Sequence, residues 1–169
     1  MAMKTVEESG MDFGPFDENY LYEIEHSDLH RAIGKGIKIA EFVFYEDSSK
    51  CFSIIEAKSS SPRPESGENF SKYIHEIEEK LTNAFLLLNS AILKRHGNPN
   101  IPAVIMNTKL DEPAYRFFLV IRGHEKEWLP PLQDAMNMVL NRYLKTWNIA
   151  PNSVLVINDE IARSKGLIA

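Results

Sequence analysis

The sequence predicts a mixed α/β fold: a central mixed β-sheet whose early strands run antiparallel, flanked by two long helices. Three observations carry this. Strand-like segments follow one another in hairpin succession between residues 19 and 59. Two long stretches, 69–96 and 129–147, repeat their apolar residues every three or four positions. Strand-like segments also follow each of those stretches, as crossover connections require. With 169 residues, 44% hydrophobic and 25% charged, the chain can build one core and has an ordinary globular composition.

Residues 1–18 are acidic and expected to be loosely ordered; residues 19–169 are expected to form one domain. Residues 19–26 (NYLYEIEH) alternate as a short strand. Ser27-Asp28 then cap a short helix through Ile33, which Gly34 and Gly36 end. Residues 37–45 (IKIAEFVFY) are β-branched and aromatic, 46–50 (EDSSK) form a turn, and 51–59 (CFSIIEAKS) return as a strand. Two prolines and a glycine make 59–69 a loop.

The long helix over 69–96 carries Phe70, Ile74, Ile77, Leu81, Ala84, Leu88 and Ala91 on one stripe, with Asn69 as cap and Gly97 as stop. Residues 101–107 (IPAVIMN) and 115–122 (YRFFLVIR) are expected strands around a turn at Asp111-Glu112-Pro113. The second helix, 129–147, tolerates Pro130 and Pro131 only in its first turn. Residues 153–157 (SVLVI) form a last strand before a short polar tail.

Charge is unevenly distributed. Residues 1–30 carry eight acids and one base, whereas residues 31–169 have a net charge of +2. A near-neutral body holds a phosphate backbone weakly, because that grip scales with lysine and arginine contacts. A nucleic-acid function would therefore call for a partner subunit or a homo-oligomer. The lone cysteine, Cys51, excludes an internal disulfide and suggests a reducing, cytoplasmic setting. No apolar run reaches membrane-spanning length, and the acidic start does not read as a signal peptide, so no membrane role is expected.

The chemistry concentrates in one hairpin. If the segments 37–45 and 51–59 close around Ser48-Ser49, Glu41 falls opposite Glu56, and Lys58 projects from the same face. Facing side chains sit about 4.5–5.5 Å apart. Two carboxylates at that distance repel by about 3 kcal/mol at an effective dielectric of ~20. The flanks, Phe42, Val43, Phe44, Phe52, Ile54 and Ile55, are apolar, so the pair is buried and needs a cation. Lys58 can supply one charge. So can a divalent metal, since Mg²⁺ is typically held by one or two carboxylates together with substrate phosphate.

Ile55-Glu56-Ala57-Lys58, ending an apolar strand beside an acid on the neighbouring strand, resembles the PD-(D/E)xK, or restriction-endonuclease-like, nucleases. The resemblance covers a little over half the chain, from about residue 19 to 107, where three strands, a helix and a strand match that family's core order. It implies Mg²⁺- or Mn²⁺-dependent phosphodiester hydrolysis, with DNA as the expected substrate. Glu56 would be a metal ligand, the Ala57 carbonyl a further ligand and Lys58 the catalytic lysine. Glu41 would be the upstream acid, departing from the usual aspartate and lacking the preceding proline. The setting suggested by association is a restriction or phage-defence complex. The alternative is a catalytically silent nuclease-fold subunit that binds protein or nucleic acid.

Other candidates are weaker. Glu46 and Asp47 rival Glu41 but belong to the turn. Lys72, near the start of the long helix, and Arg63, in the loop after Lys58, are candidate substrate contacts. Glu76 and Glu79 fall on the polar helix face, and Cys51 has no neighbouring base. The five histidines (His26, His30, His75, His96 and His124) show no metal-ligand spacing and are read as surface or structural.

Overall fold

The computed structural model describes residues 1–97 and 99–169. Its centre is a five-stranded mixed sheet in the order β3 (Leu21–Tyr22), β4 (Phe42–Glu46), β5 (Cys51–Lys58), β6 (Ala114–Ile121), β7 (Val154–Asn158). Strands β3, β4 and β5 pair antiparallel, and β5, β6 and β7 run parallel. The mixed α/β class read from the sequence is therefore present.

The parallel half is reached through two helices, α2 (Glu68–Ile92) between β5 and β6 and α4 (Leu129–Trp147) between β6 and β7. Both step across the sheet in the same direction, and crossovers of one hand then put both helices on one face. Ile77, Leu81 and Leu88 of α2 and Leu132, Met136 and Leu140 of α4 bury into a single core with Ile54, Phe117 and Val156. The two long helices thus line the same side of the sheet.

The opposite face corrects the expectation of a loose N-terminal segment. Residues 1–18 contain an antiparallel hairpin, β1 (Met3–Glu8) with β2 (Met11–Asp17), which buries Val6, Met11, Phe13 and Phe16 against Phe42, Ile55 and Phe118. Its turn is Ser9-Gly10, both at positive φ (51° and 74°), the two-residue geometry whose twist suits a hairpin. A Cβ at position 10 would lie 2.5 Å from the Arg122 guanidinium, the movable end of a long side chain, so the positive φ is what calls for glycine. The acids that dominate this segment point outward, so its charge hid its alternation. The tail is also less polar than expected. It folds as α5 (Asp159–Ser164), then buries Leu167 and Ile168 beside Phe13, with the Gly14 N–H donating to the Leu167 carbonyl at 2.9 Å.

Two further segments differ from expectation. Residues 101–107 form no strand; Ala103–Met106 makes one helical turn, α3, because the sheet has no free edge beside β5 and Ile101 and Ile105 reach the core at helical spacing. β4 begins at Phe42, since residues 37–41 leave the ladder to lie along α2: the Ala40 N–H donates to the Lys80 carbonyl (3.1 Å) and Asn83 to the Lys38 carbonyl (2.8 Å).

The short helix α1 (Asp28–Ile33) has the cap and stop read from the sequence, Ser27 and Gly34. The Ser27 hydroxyl accepts the His30 N–H at 3.1 Å, and the His30 ring nitrogens each lie 2.7 Å from a carbonyl oxygen, one of Glu25 and one of Ile37. α1 thereby ties together the two segments that carry Glu25 and Glu41. Ser27→Ala is expected to cost about 1 kcal/mol, lowering Tm by about 2–4 °C in a thermal melt.

Candidate active site

β4 and β5 pair as the hairpin reading required, Phe42 opposite Ile55 and Glu46 opposite Cys51. Glu41 lies one residue before β4 and still donates its N–H to the Ile55 carbonyl at 3.1 Å. Along β5, Ile55 and Ala57 face the N-terminal hairpin, so Glu56 and Lys58 alternate to the side of α2. Glu41 shares that side: its carboxyl repels Glu56, and both acids act on the same lysine, Lys80.

Glu56 is fully buried and Glu41 is 7% exposed. Glu56 Oε1 accepts from Lys80 Nζ at 2.9 Å and lies 3.4 Å from Lys58 Nζ. Lys58 also donates to Glu76 Oε1 at 3.2 Å, and Lys38 approaches Glu76 at 3.9 Å. Among the described residues, the buried side-chain polar atoms without a hydrogen-bond partner are Glu41 Oε2 and Glu56 Oε2. An unpartnered buried acceptor costs about 1–3 kcal/mol, so two such oxygens in one cluster are not what packing alone would select.

Electrostatics follow from this crowding. Burial, the hydrogen-bonded Glu25 and repulsion from Glu56 push Glu41 up to about 10. Glu25 is held below its ordinary value, chiefly by its hydrogen bond with Glu41. Burial raises Glu56 above the ordinary carboxylate range despite its two lysines. Burial opposes the Lys80 ammonium, but Glu56, Glu41 and Glu25 together outweigh it and raise its pKa. The carboxyls in this cluster outnumber what its lysines can neutralise, and Glu41 resolves the imbalance by keeping its proton.

A second bank of ligand-type atoms lies on the hairpin side of Glu41. Glu8, Glu25 and His26 offer atoms within 4.8 Å of one another, with His26 Nε2 at 3.4 Å from Glu8 and 3.8 Å from Glu25. The Ala57 carbonyl accepts the Ser9 hydroxyl at 3.1 Å, leaving it one further lone pair. Apart from the His26 nitrogen, the donors are carboxylates and a carbonyl, which suit a hard divalent cation such as Mg²⁺ or Mn²⁺. Glu41 and Glu56 would hold it through their free oxygens.

The chain thus brings Glu41, Glu56, Ala57 and Lys58 together. Lys72 is elsewhere, on the solvent face of α2 in an exposed pair with Glu68 at 3.0 Å. Arg63 sits over the Trp128 ring at 4.9 Å, in a pocket beyond Lys58. Glu46 closes the far end of the hairpin, opposite Cys51. Sequence reasoning missed Lys80, Glu25 and Glu8 and read Glu76 as solvated. The available signal was Lys80 itself, four residues after Glu76 and beside the buried stripe of Ile77, Leu81 and Ala84. A lysine at the edge of an apolar stripe needs a carboxylate partner when its ammonium is turned away from water. No protein-family model, curated protein or solved structure matches this chain.

Proposed function

We propose that this chain is a metal-dependent nuclease of the PD-(D/E)xK type, with a restriction-endonuclease-like core, that hydrolyses phosphodiesters in nucleic acid, DNA foremost. The observation that carries the reading is the pair of buried, unpartnered oxygens, Glu41 Oε2 and Glu56 Oε2, beside Lys58. Bound Mg²⁺ or Mn²⁺ would supply Lewis-acid stabilisation of phosphoryl charge and a more acidic water. The protein's own part is to fix the geometry. Glu41 and Glu56 are held by opposite strands of one hairpin. Lys80 offsets the Glu56 charge from below, so that Lys58, 24% exposed, can turn its ammonium to a phosphate oxygen or an attacking water. The net charge of −5 fits a subunit of a larger cytoplasmic assembly, in which a partner supplies further grip on the phosphate backbone.

The test is cleavage of plasmid and single-stranded substrates with Mg²⁺ or Mn²⁺, wild type beside Lys58→Ala. Loss of one preorganised donor to developing charge is expected to slow cleavage by about a hundredfold. Equal rates would remove Lys58 from the chemistry.

One observation favours a second reading. Glu56 already has two lysines on Oε1, at 2.9 and 3.4 Å, as a structural ion-pair cluster in a silent binding subunit would. That reading expects no cleavage and no response of stability to Mg²⁺ or Mn²⁺.

A further inference from the structure

Immediately beyond Lys58, at the C-terminal ends of the parallel strands β5 and β6, the chain forms a pocket of about 410 Å³. Its walls are the loop after β5, with Ser60 and Arg63, and the turn after β6, with Arg122 and His124; Trp128 and Leu132 close it from the start of α4. The Arg122 N–H donates to the Lys58 carbonyl at 2.9 Å, so the pocket and the lysine are directly linked. Crevices outside the carboxyl ends of parallel strands are where α/β sheets take ligands.

Three features describe the occupant. Trp128 is 40% exposed although it stands in a concave site, with the Arg63 guanidinium 4.9 Å from its ring centroid and the His124 ring edge-on at 5.2 Å. Arg63 covers one face of the indole, and the part of the ring that stays open to the pocket fits another flat ring. Arg63 forms no ion pair among the described residues, which leaves its guanidinium to meet an anion, whereas the Arg122 guanidinium lies against Gly10 at the turn of the N-terminal hairpin. Glu65 and Glu127 stand on the rim, so the net attraction is small and stacking has to provide most of the grip.

We propose that this pocket takes an unpaired nucleobase, stacked on Trp128, with its phosphate at Arg63, and that the substrate class is single-stranded nucleic acid or a single-stranded flank. The proposal rests on the nuclease reading for its choice of ligand and extends it. Within a duplex the base faces are covered by their neighbours, whereas an unstacked base can lie against an indole. Stacking also answers the charge problem. A protein with a net charge of −5 lacks the excess of lysine and arginine that holds a duplex backbone, but aromatic stacking does not depend on it.

The experiment uses the full chain in EDTA, where no cleavage occurs, and follows the fluorescence anisotropy of labelled single-stranded DNA, single-stranded RNA and duplex DNA of one sequence. Either single strand is expected to bind more tightly than the duplex. Trp128→Ala should weaken that binding by about tenfold or more, while Trp128→Phe retains most of it. Arg63→Glu, at an exposed position, should weaken it as well and checks the pocket independently. Preference for duplex, no binding to any oligonucleotide, or unchanged affinity in Trp128→Ala overturns the proposal. Failure of Lys58-dependent cleavage leaves the binding result standing. Lys58-dependent cleavage beside unaltered Trp128→Ala binding removes the pocket alone.

Discussion

Glu41→Gln is expected to stabilise the metal-free protein at alkaline pH and to abolish stabilisation by metal. The folded chain holds Glu41 at about 10, against an ordinary value of 4.5. Below 4.5 both the folded and unfolded chains carry the proton, and Glu41 adds no pH dependence. Between 4.5 and about 10 the folded chain keeps a proton that the unfolded chain has lost. Folding then takes up a proton, so stability falls as pH rises, by up to ~1.4 kcal/mol per pH unit. Above about 10 the loss is complete and flat.

Glutamine has nothing to ionise. At about pH 8 the variant should gain about 2–4 kcal/mol over wild type in EDTA, a Tm higher by about 5–12 °C, with the gain vanishing towards pH 4–5. Mg²⁺ or Mn²⁺ should act the other way on wild type: binding releases the Glu41 proton, so the metal-induced rise in Tm grows with pH. Glu41→Gln should show no such rise. Melts of both proteins from about pH 5 to 9, with EDTA and with metal, check every part of this. A wild type whose Tm ignores metal at every pH would favour the silent ion-pair cluster.

How much of this could be read from the chain differs from element to element. The β4–β5 hairpin was legible because its two strands are mostly apolar and aromatic around a polar turn, and alternation then fixes which side each acid takes. The span of α4 and the cap and stop of α1 were legible for a similar reason: prolines, serine and glycine act locally. The N-terminal hairpin was obscured because its outward acids dominate the composition while Val6, Phe13 and Phe16 carry the fold. Residues 101–107 have strand composition but no strand to pair with, and only the completed sheet order decides that.

The site divides along the same line. Glu56 and Lys58 lie on β5, and Glu41 immediately precedes the paired strand β4, so the hairpin's local register sets all three. Lys80, Glu25 and Glu8 arrive from a helix, a short turn and a distant hairpin. Their meeting depends on residues 37–41 leaving the ladder to hydrogen-bond with α2, a tertiary contact without a sequence pattern of its own.

Lys80→Met should be among the most destabilising single changes available at the site, and its rescue identifies the cause. Lys80 is mostly buried, and its ammonium lies 2.9 Å from Glu56 Oε1, the carboxylate with no solvent contact. Removing one member of a buried pair leaves the other charge uncompensated, at a cost of about 3–5 kcal/mol. Lys58, at 3.4 Å and shared with Glu76, relieves only part of that. About 3 kcal/mol, or about 6–12 °C in Tm, is therefore expected at neutral pH. The loss should shrink on acidification, because Glu56, already raised by burial, takes up a proton first in the folded chain. Lys80→Met combined with Glu56→Gln should recover most of the loss, since neutral groups of similar shape replace both charges. The double-mutant cycle, read by urea or thermal unfolding, should give a coupling energy of at least about 2 kcal/mol. Additive effects would mean that Lys80 supports the fold through its packed aliphatic stem and not through Glu56, and the site would then lack the counter-charge that frees Lys58 for phosphate.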